Sequence, residues 1–217
     1  MDQFSIPQIL IVLVIVWAVF GGWKRGEKKR VAELQIISRD LGFEFQRDGT
    51  NSSLSSYLSI WDKNGKIRSL LKGTRGIVQI EVFDYQHPNG ESDAITTVFA
   101  FRSESLVLPN FRLRPRRFLD RVAAKTWAHH IDFASNQKFS KLYTVLGERD
   151  QSIQSIFTEN IVAYLILHGG TSIEWDGQSL FRYEFDKAVS PENISACLDS
   201  GLKLVDSFST QKQREWR

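Results

Sequence analysis

Residues 77–101 read IVQIEVFDYQHPNGESDAITTVFAF, and their period decides the fold. Val78, Ile80 and Val82 alternate with Gln79 and Glu81, which is the two-residue repeat of a half-buried strand. Ile95, Thr97, Phe99 and Phe101 repeat the pattern on the way back. Between them, His87-Pro88-Asn89-Gly90 supplies turn residues. Two alternating runs joined by a polar turn predict a β-hairpin with a long loop, and hence an antiparallel sheet.

Working outward, Ile67 to Leu71 reads as another strand, set off by Gly73 and Gly76, and Phe43 and Phe45 alternate across a short one. Leu106 to Leu113 reads as a strand whose Pro109 suits an edge or a bulge. Phe139 to Leu146 also reads as a strand. Thr171–Trp175 and Gln178–Phe185 flank Asp176-Gly177, a strong hairpin signal. Helical spacing marks Glu27–Leu41, Leu54–Trp61, Pro115 to about Trp127, a long helix from Asp150 to His168, and a last one capped by Ser190 and opened by Pro191. Strands grouped in hairpins and separated by helices predict an α+β fold with a mainly antiparallel sheet packed by amphipathic helices.

The N-terminus is different. Phe4 to Trp23 reads FSIPQILIVLVIVWAVFGGW without a charge. Twenty helical residues span roughly 30 Å, the thickness of a bilayer core. A cleaved signal peptide would want a basic start and a small-residue cleavage site, and Met-Asp-Gln supplies neither. The division expected is therefore a transmembrane helix at 4–23, a basic juxtamembrane segment at 24–30, a folded domain at 31–209 and a polar tail at 210–217. Lys24, Arg25, Lys28, Lys29 and Arg30 crowd the C-terminal flank of the span. The positive-inside rule puts that flank in the cytoplasm and the N-terminus outside. The expected location is thus the plasma (inner) membrane, single-pass, with the domain inside.

Charge and cysteine narrow the function further. The 217 residues carry a formal net charge of +3. Residues 1–30 hold five basic and two acidic residues; residues 31–217 hold 23 of each. The excess is the membrane flank, not a nucleic-acid surface, so no nucleic acid is expected as a partner. The single Cys197 rules out a disulfide framework and a multi-thiolate zinc site within one chain.

No constellation announces an activity. His87, His129, His130 and His168 lack metal-ligand spacing, and Cys197 lies on the apolar side of its helix without a basic neighbour. Gly73-x-x-Gly76 and Gly169-Gly170 lack the context of a phosphate loop. No catalytic, cofactor or metal residue is assigned, and no cofactor is expected. Two local features stand out. Asp84, Tyr85 and His87 cluster at a strand end beside a loop, where a site or a turn cap could sit. Arg112, Arg114, Arg116, Arg117, Arg121 and Lys125 face only Asp120, and are either a solvated face or a contact for anionic lipid or an acidic partner.

Phe83-Asp84-Tyr85, Thr96-Thr97-Val98, Leu108-Pro109-x-Phe111-x-Leu113-x-Pro115 and Phe139-Ser140-x-x-Tyr143 together resemble a family of uncharacterised bacterial proteins with one N-terminal span and a cytoplasmic α+β body. Arg116 departs from that pattern, in which an acidic residue often follows the last proline. The resemblance implies a membrane-anchored domain and no catalytic residue. The function expected is a binding or scaffolding module tethered to the bilayer, with an unknown protein partner. The alternative is a tethered enzyme using Asp84, Tyr85 and His87.

Overall fold

A computed structural model describes residues 26–49, 52, 65–87, 95–116, 129–131, 133, 136–147 and 151–215. The expected span at 4–23, the short helix at 54–61 and most of the helix expected after Pro115 lie outside them. Among the described residues, no helix is long and apolar enough to cross a membrane.

Among the described residues, nine strands form one sheet in the order β1-β2-β3-β4-β9-β8-β5-β7-β6. They are β1 (Glu44–Gln46), β2 (Lys66–Arg75), β3 (Val78–Gln86), β4 (Ile95–Arg102), β5 (Phe111–Pro115), β6 (His129–Ile131), β7 (Tyr143–Gly147), β8 (Ser172–Trp175) and β9 (Ser179–Tyr183). Every neighbouring pair is antiparallel. The α+β expectation therefore holds, with the β8–β9 hairpin inserted at the middle of the sheet. Asp176 makes that hairpin's turn: its Oδ1 accepts from the backbone N–H groups of Gln178 and Ser179, and Gly177 takes φ +93°.

The α-helices among the described residues are α1 (26–40), α2 (Gln137–Leu142), α3 (Gln151–Ile156), α4 (Glu159–Leu167) and α5 (Ile194–Glu215). Alternation splits the sheet into two faces. One carries Leu71, Val78, Ile80, Val82, Phe99, Phe101, Phe111, Leu113 and Ile173, packed with Leu34 of α1, Ile153, Phe157, Ile161 and Leu165 of the α3–α4 region, and Ile194, Leu198, Val205 and Phe208 of α5. The expectation that the two C-terminal helical regions share one sheet face is met. Gly201 of α5 lies so close to β4 that an added Cβ would come 2.2 Å from Phe101 Cζ. The other face carries a smaller cluster of Leu70, Phe83, Tyr85, Val98, Phe181 and Tyr183.

Several boundaries differ from the sequence reading. The strand expected from Phe139 begins instead as α2, because Asn136 accepts the Phe139 N–H on its Oδ1 at 3.0 Å and caps a helical turn. The helix expected unbroken from Asp150 to His168 divides at Phe157, and Thr158 caps α4. β2 runs through Gly73 to Arg75, because the Phe43 ring covers the place a side chain would take. β5 runs to Pro115, and Leu106–Asn110 precedes that strand as irregular chain. The expected polar tail from 210 is helical as far as Glu215.

Candidate functional site

The most elaborate polar arrangement sits where α1 meets the ends of β3 and β4. On α1, Arg30, Leu34, Ile37 and Leu41 share one stripe at helical spacing, with Leu34 buried. Arg30 therefore points at the sheet. Its Nε donates to Asp84 Oδ2 at 2.7 Å and its Nη2 to Asp84 Oδ1 at 2.8 Å, a bidentate pair. Nη2 also reaches Thr97 Oγ1 at 3.1 Å, and Nη1 donates to the Val189 carbonyl at 2.8 Å. Thr97 Oγ1 in turn donates to Asp84 Oδ1 and accepts the Val189 N–H. Asp84 is only 3% exposed. A buried carboxylate needs such partners, and here it has the Arg30 guanidinium and the Thr97 hydroxyl.

Beside this network lies a cavity of about 240 Å³, lined by Gly26, Glu27, Arg30, Arg68, Asp84 and Ile95 among others. Arg68 donates to Gln86 Oε1 at 2.5 Å and lies 3.9 Å from Glu27. The charged groups on the cavity wall thus engage one another.

The trio Asp84, Tyr85 and His87 does not converge. Successive residues of β3 project to opposite faces. Asp84 turns toward α1, whereas Tyr85 belongs to the cluster on the far face. His87 stacks edge-on against Tyr85 at 4.7 Å and lies 4.8 Å from the Phe185 ring, with its Nε2 3.2 Å from Thr96 Oγ1. A shared acid–base site would need all three on one side.

The arginine-rich patch also resolves differently. Arg112 and Arg114 do share a face of β5, but they are drawn inward to Glu174 of β8, at 3.6 Å and 3.5 Å. Arg114 is 4% exposed. Tyr183 donates to the same carboxylate at 2.5 Å. These two arginines therefore hold the sheet together rather than presenting charge to a bilayer. Arg116 is exposed, and Arg117, Arg121 and Lys125 lie outside the described residues. The juxtamembrane group divides likewise: Lys28 and Lys29 are exposed, Arg30 is the buried pair's cation, and Lys24 and Arg25 lie outside the described residues.

The remaining candidates occupy ordinary structural places. Cys197 is half-buried against the core. His130 and His168 are exposed, the latter 4.4 Å from the Tyr164 ring. Among the described residues, no three His, Cys, Asp or Glu side chains are grouped to hold a metal.

A second concavity, of about 670 Å³, opens at the other end of the sheet. It is lined by the β2–β3 turn, the chain after β4 and the β8–β9 turn, with Ile77, Arg102, Leu106, Val107 and Gln178 on its walls. Ile77 is 77% and Val107 60% exposed.

Sequence reading missed the Arg30–Asp84 and Arg114–Glu174 pairs. The first had a signal: Arg30 lies one turn before Leu34, on the stripe that reaches the core. The second had none, because which face of β5 receives helices is not written in its alternation.

No protein-family model matches the chain, and neither does the sequence of any curated protein. Among solved structures, the crystal structure of the mycobacterial trehalose monomycolate transport factor A, TtfA, is similar, with a TM-score of 0.58 over 86% of this chain and 94% of that one. The two are 11% identical, so what they share is the fold: a large antiparallel sheet with helices packed on it.

Proposed function

We propose that this chain is a single-pass inner-membrane protein whose cytoplasmic domain is a binding or scaffolding module, an accessory to a membrane complex rather than its catalyst. The observation that carries this reading is the fate of Asp84. The one sequence-flagged carboxylate at a strand end is bound by Arg30 and Thr97, on the opposite side of the strand from Tyr85. An uncharged twenty-residue segment ahead of α1 supplies the tether. The shared fold with a protein named as a transport factor favours an accessory role, and so does the resemblance to single-span bacterial proteins. Arg112 and Arg114 are taken up by Glu174, so among the described residues of the two basic groups the exposed Arg116, Lys28 and Lys29 are the ones offered to anionic lipid.

The test is cross-linking in intact cells followed by detergent extraction of the full chain. A stoichiometric membrane-protein partner is the expected result. Recovery of the chain alone, under conditions that preserve other membrane complexes, would contradict a scaffolding role. The enzymatic reading would be favoured instead if a substrate were found whose turnover needs both Asp84 and His87.

A further inference from the structure

The Arg30–Asp84 network joins four parts of the chain through one guanidinium: α1, β3, β4 and the segment leading into α5. Leu34, one turn further on, is 2% exposed and packs with Phe43 and Leu71 in the core. α1 is therefore held to the sheet by a polar contact in its first turns and an apolar one in its middle. A surface ion pair would give little rigidity. Here the Asp84 side chain is 4% exposed and that of Arg30 19%, so displacing Arg30 leaves the buried carboxylate without its cation, and the bidentate geometry favours one placement of α1.

That matters because of where α1 begins. Only Lys24 and Arg25 separate Trp23 from Gly26, and three Cα-to-Cα steps reach roughly 10 Å even when extended. If residues 4–23 cross the bilayer, the end of the sheet nearest Gly26 must lie close to the lipid surface. Arg68, Gln86 and Ile95 share that end with Gly26 and Glu27. The concavity with Ile77 and Val107 lies at the other end of β3, whose nine residues cover roughly 30 Å.

We infer that the Arg30–Asp84 pair is an orientation latch: it couples the direction of the membrane tether to the sheet, so that the domain keeps the β3–β4 loop end toward the lipid surface and the Ile77–Val107 end away from it. This rests on the tethered reading above. With the latch closed the domain is a fixed post. With it open, α1 swings and the domain samples all orientations at the end of its tether.

The full chain, reconstituted in vesicles containing a headgroup quencher, tests this. A fluorophore is placed by Lys66→Cys or by Ile77→Cys, each in a Cys197→Ala background. Position 66 should be quenched several-fold more than position 77, and Arg30→Gln should erase the difference. Equal quenching at the two positions without that substitution overturns the latch, as does a contrast that survives Arg30→Gln. Hydrogen exchange on the same samples covers a variant that fails to fold. Without Arg30→Gln, amides 30–33, the first with intrahelical acceptors, should exchange within about tenfold of those in β3, and much faster exchange there refutes the latch. With it, protection should fall over 30–33 while β3 and β4 keep theirs. A chain that does not float with vesicles refutes the tethered reading and the orientation with it, whereas a floating chain with equal quenching refutes the latch alone.

Discussion

Asp84 concentrates the physics at the scale of single residues. Its carboxylate is buried, and Arg30 and Thr97 donate hydrogen bonds to it. Removing one partner of such a pair leaves the other uncompensated, and Asp84→Ala should cost about 3–5 kcal/mol in chemical denaturation of the full chain. A loss below about 1 kcal/mol would mean that Arg30 is solvated in solution. Phe157 tests the apolar side. Its ring meets Phe111 at 5.3 Å, Phe133 at 5.4 Å and Phe139 at 5.9 Å. Phe157→Ala should destabilise by about 3–5 kcal/mol, and a change under about 0.5 kcal/mol would place the ring at the surface.

At the scale of elements, local signals compete with alternation. Phe139, Tyr143 and Val145 lie at odd positions and imitate a strand, yet Asn136 turns the first part of that run into α2. Asn136→Ala should remove about 1 kcal/mol and lower amide protection in α2 without affecting β8 or β9. Where turn chemistry and period agree, as at Asp176-Gly177 or in the β3–β4 pair, the sequence reading and the structure coincide. Where the decisive contact is remote, they part. Arg30 and Asp84 are 54 residues apart, and Arg112 and Arg114 find Glu174 only after β8 is inserted beside β5. The contact between α5 and β4 is another remote choice. Gly201→Leu has no space against Phe101, so it should push α5 off the sheet and lower the thermal midpoint, whereas Gly169→Ala, with nothing within 4 Å of the added carbon, should leave the midpoint nearly unchanged.

At the scale of the whole molecule, an uncharged N-terminal segment precedes a domain whose first helix is joined to the sheet by the Arg30–Asp84 pair. The fold class was legible because hairpin periodicity survives any packing arrangement; the place of the β8–β9 hairpin within the sheet was not, because it is chosen by contacts across the whole core. The proposed membrane tether, with the domain on the cytoplasmic side, is tested by protease accessibility from each side of the membrane. Spheroplasts and inverted membrane vesicles from cells expressing the full chain, each treated with protease, should differ: the domain intact in the first and degraded in the second, with the chain resisting an alkaline wash of the membranes. Val14→Arg, which costs about 2.5–3.5 kcal/mol at the centre of a span, should release part of the chain into the soluble fraction. Degradation of the domain in intact spheroplasts, or loss of the chain from washed membranes without any substitution, would contradict the account.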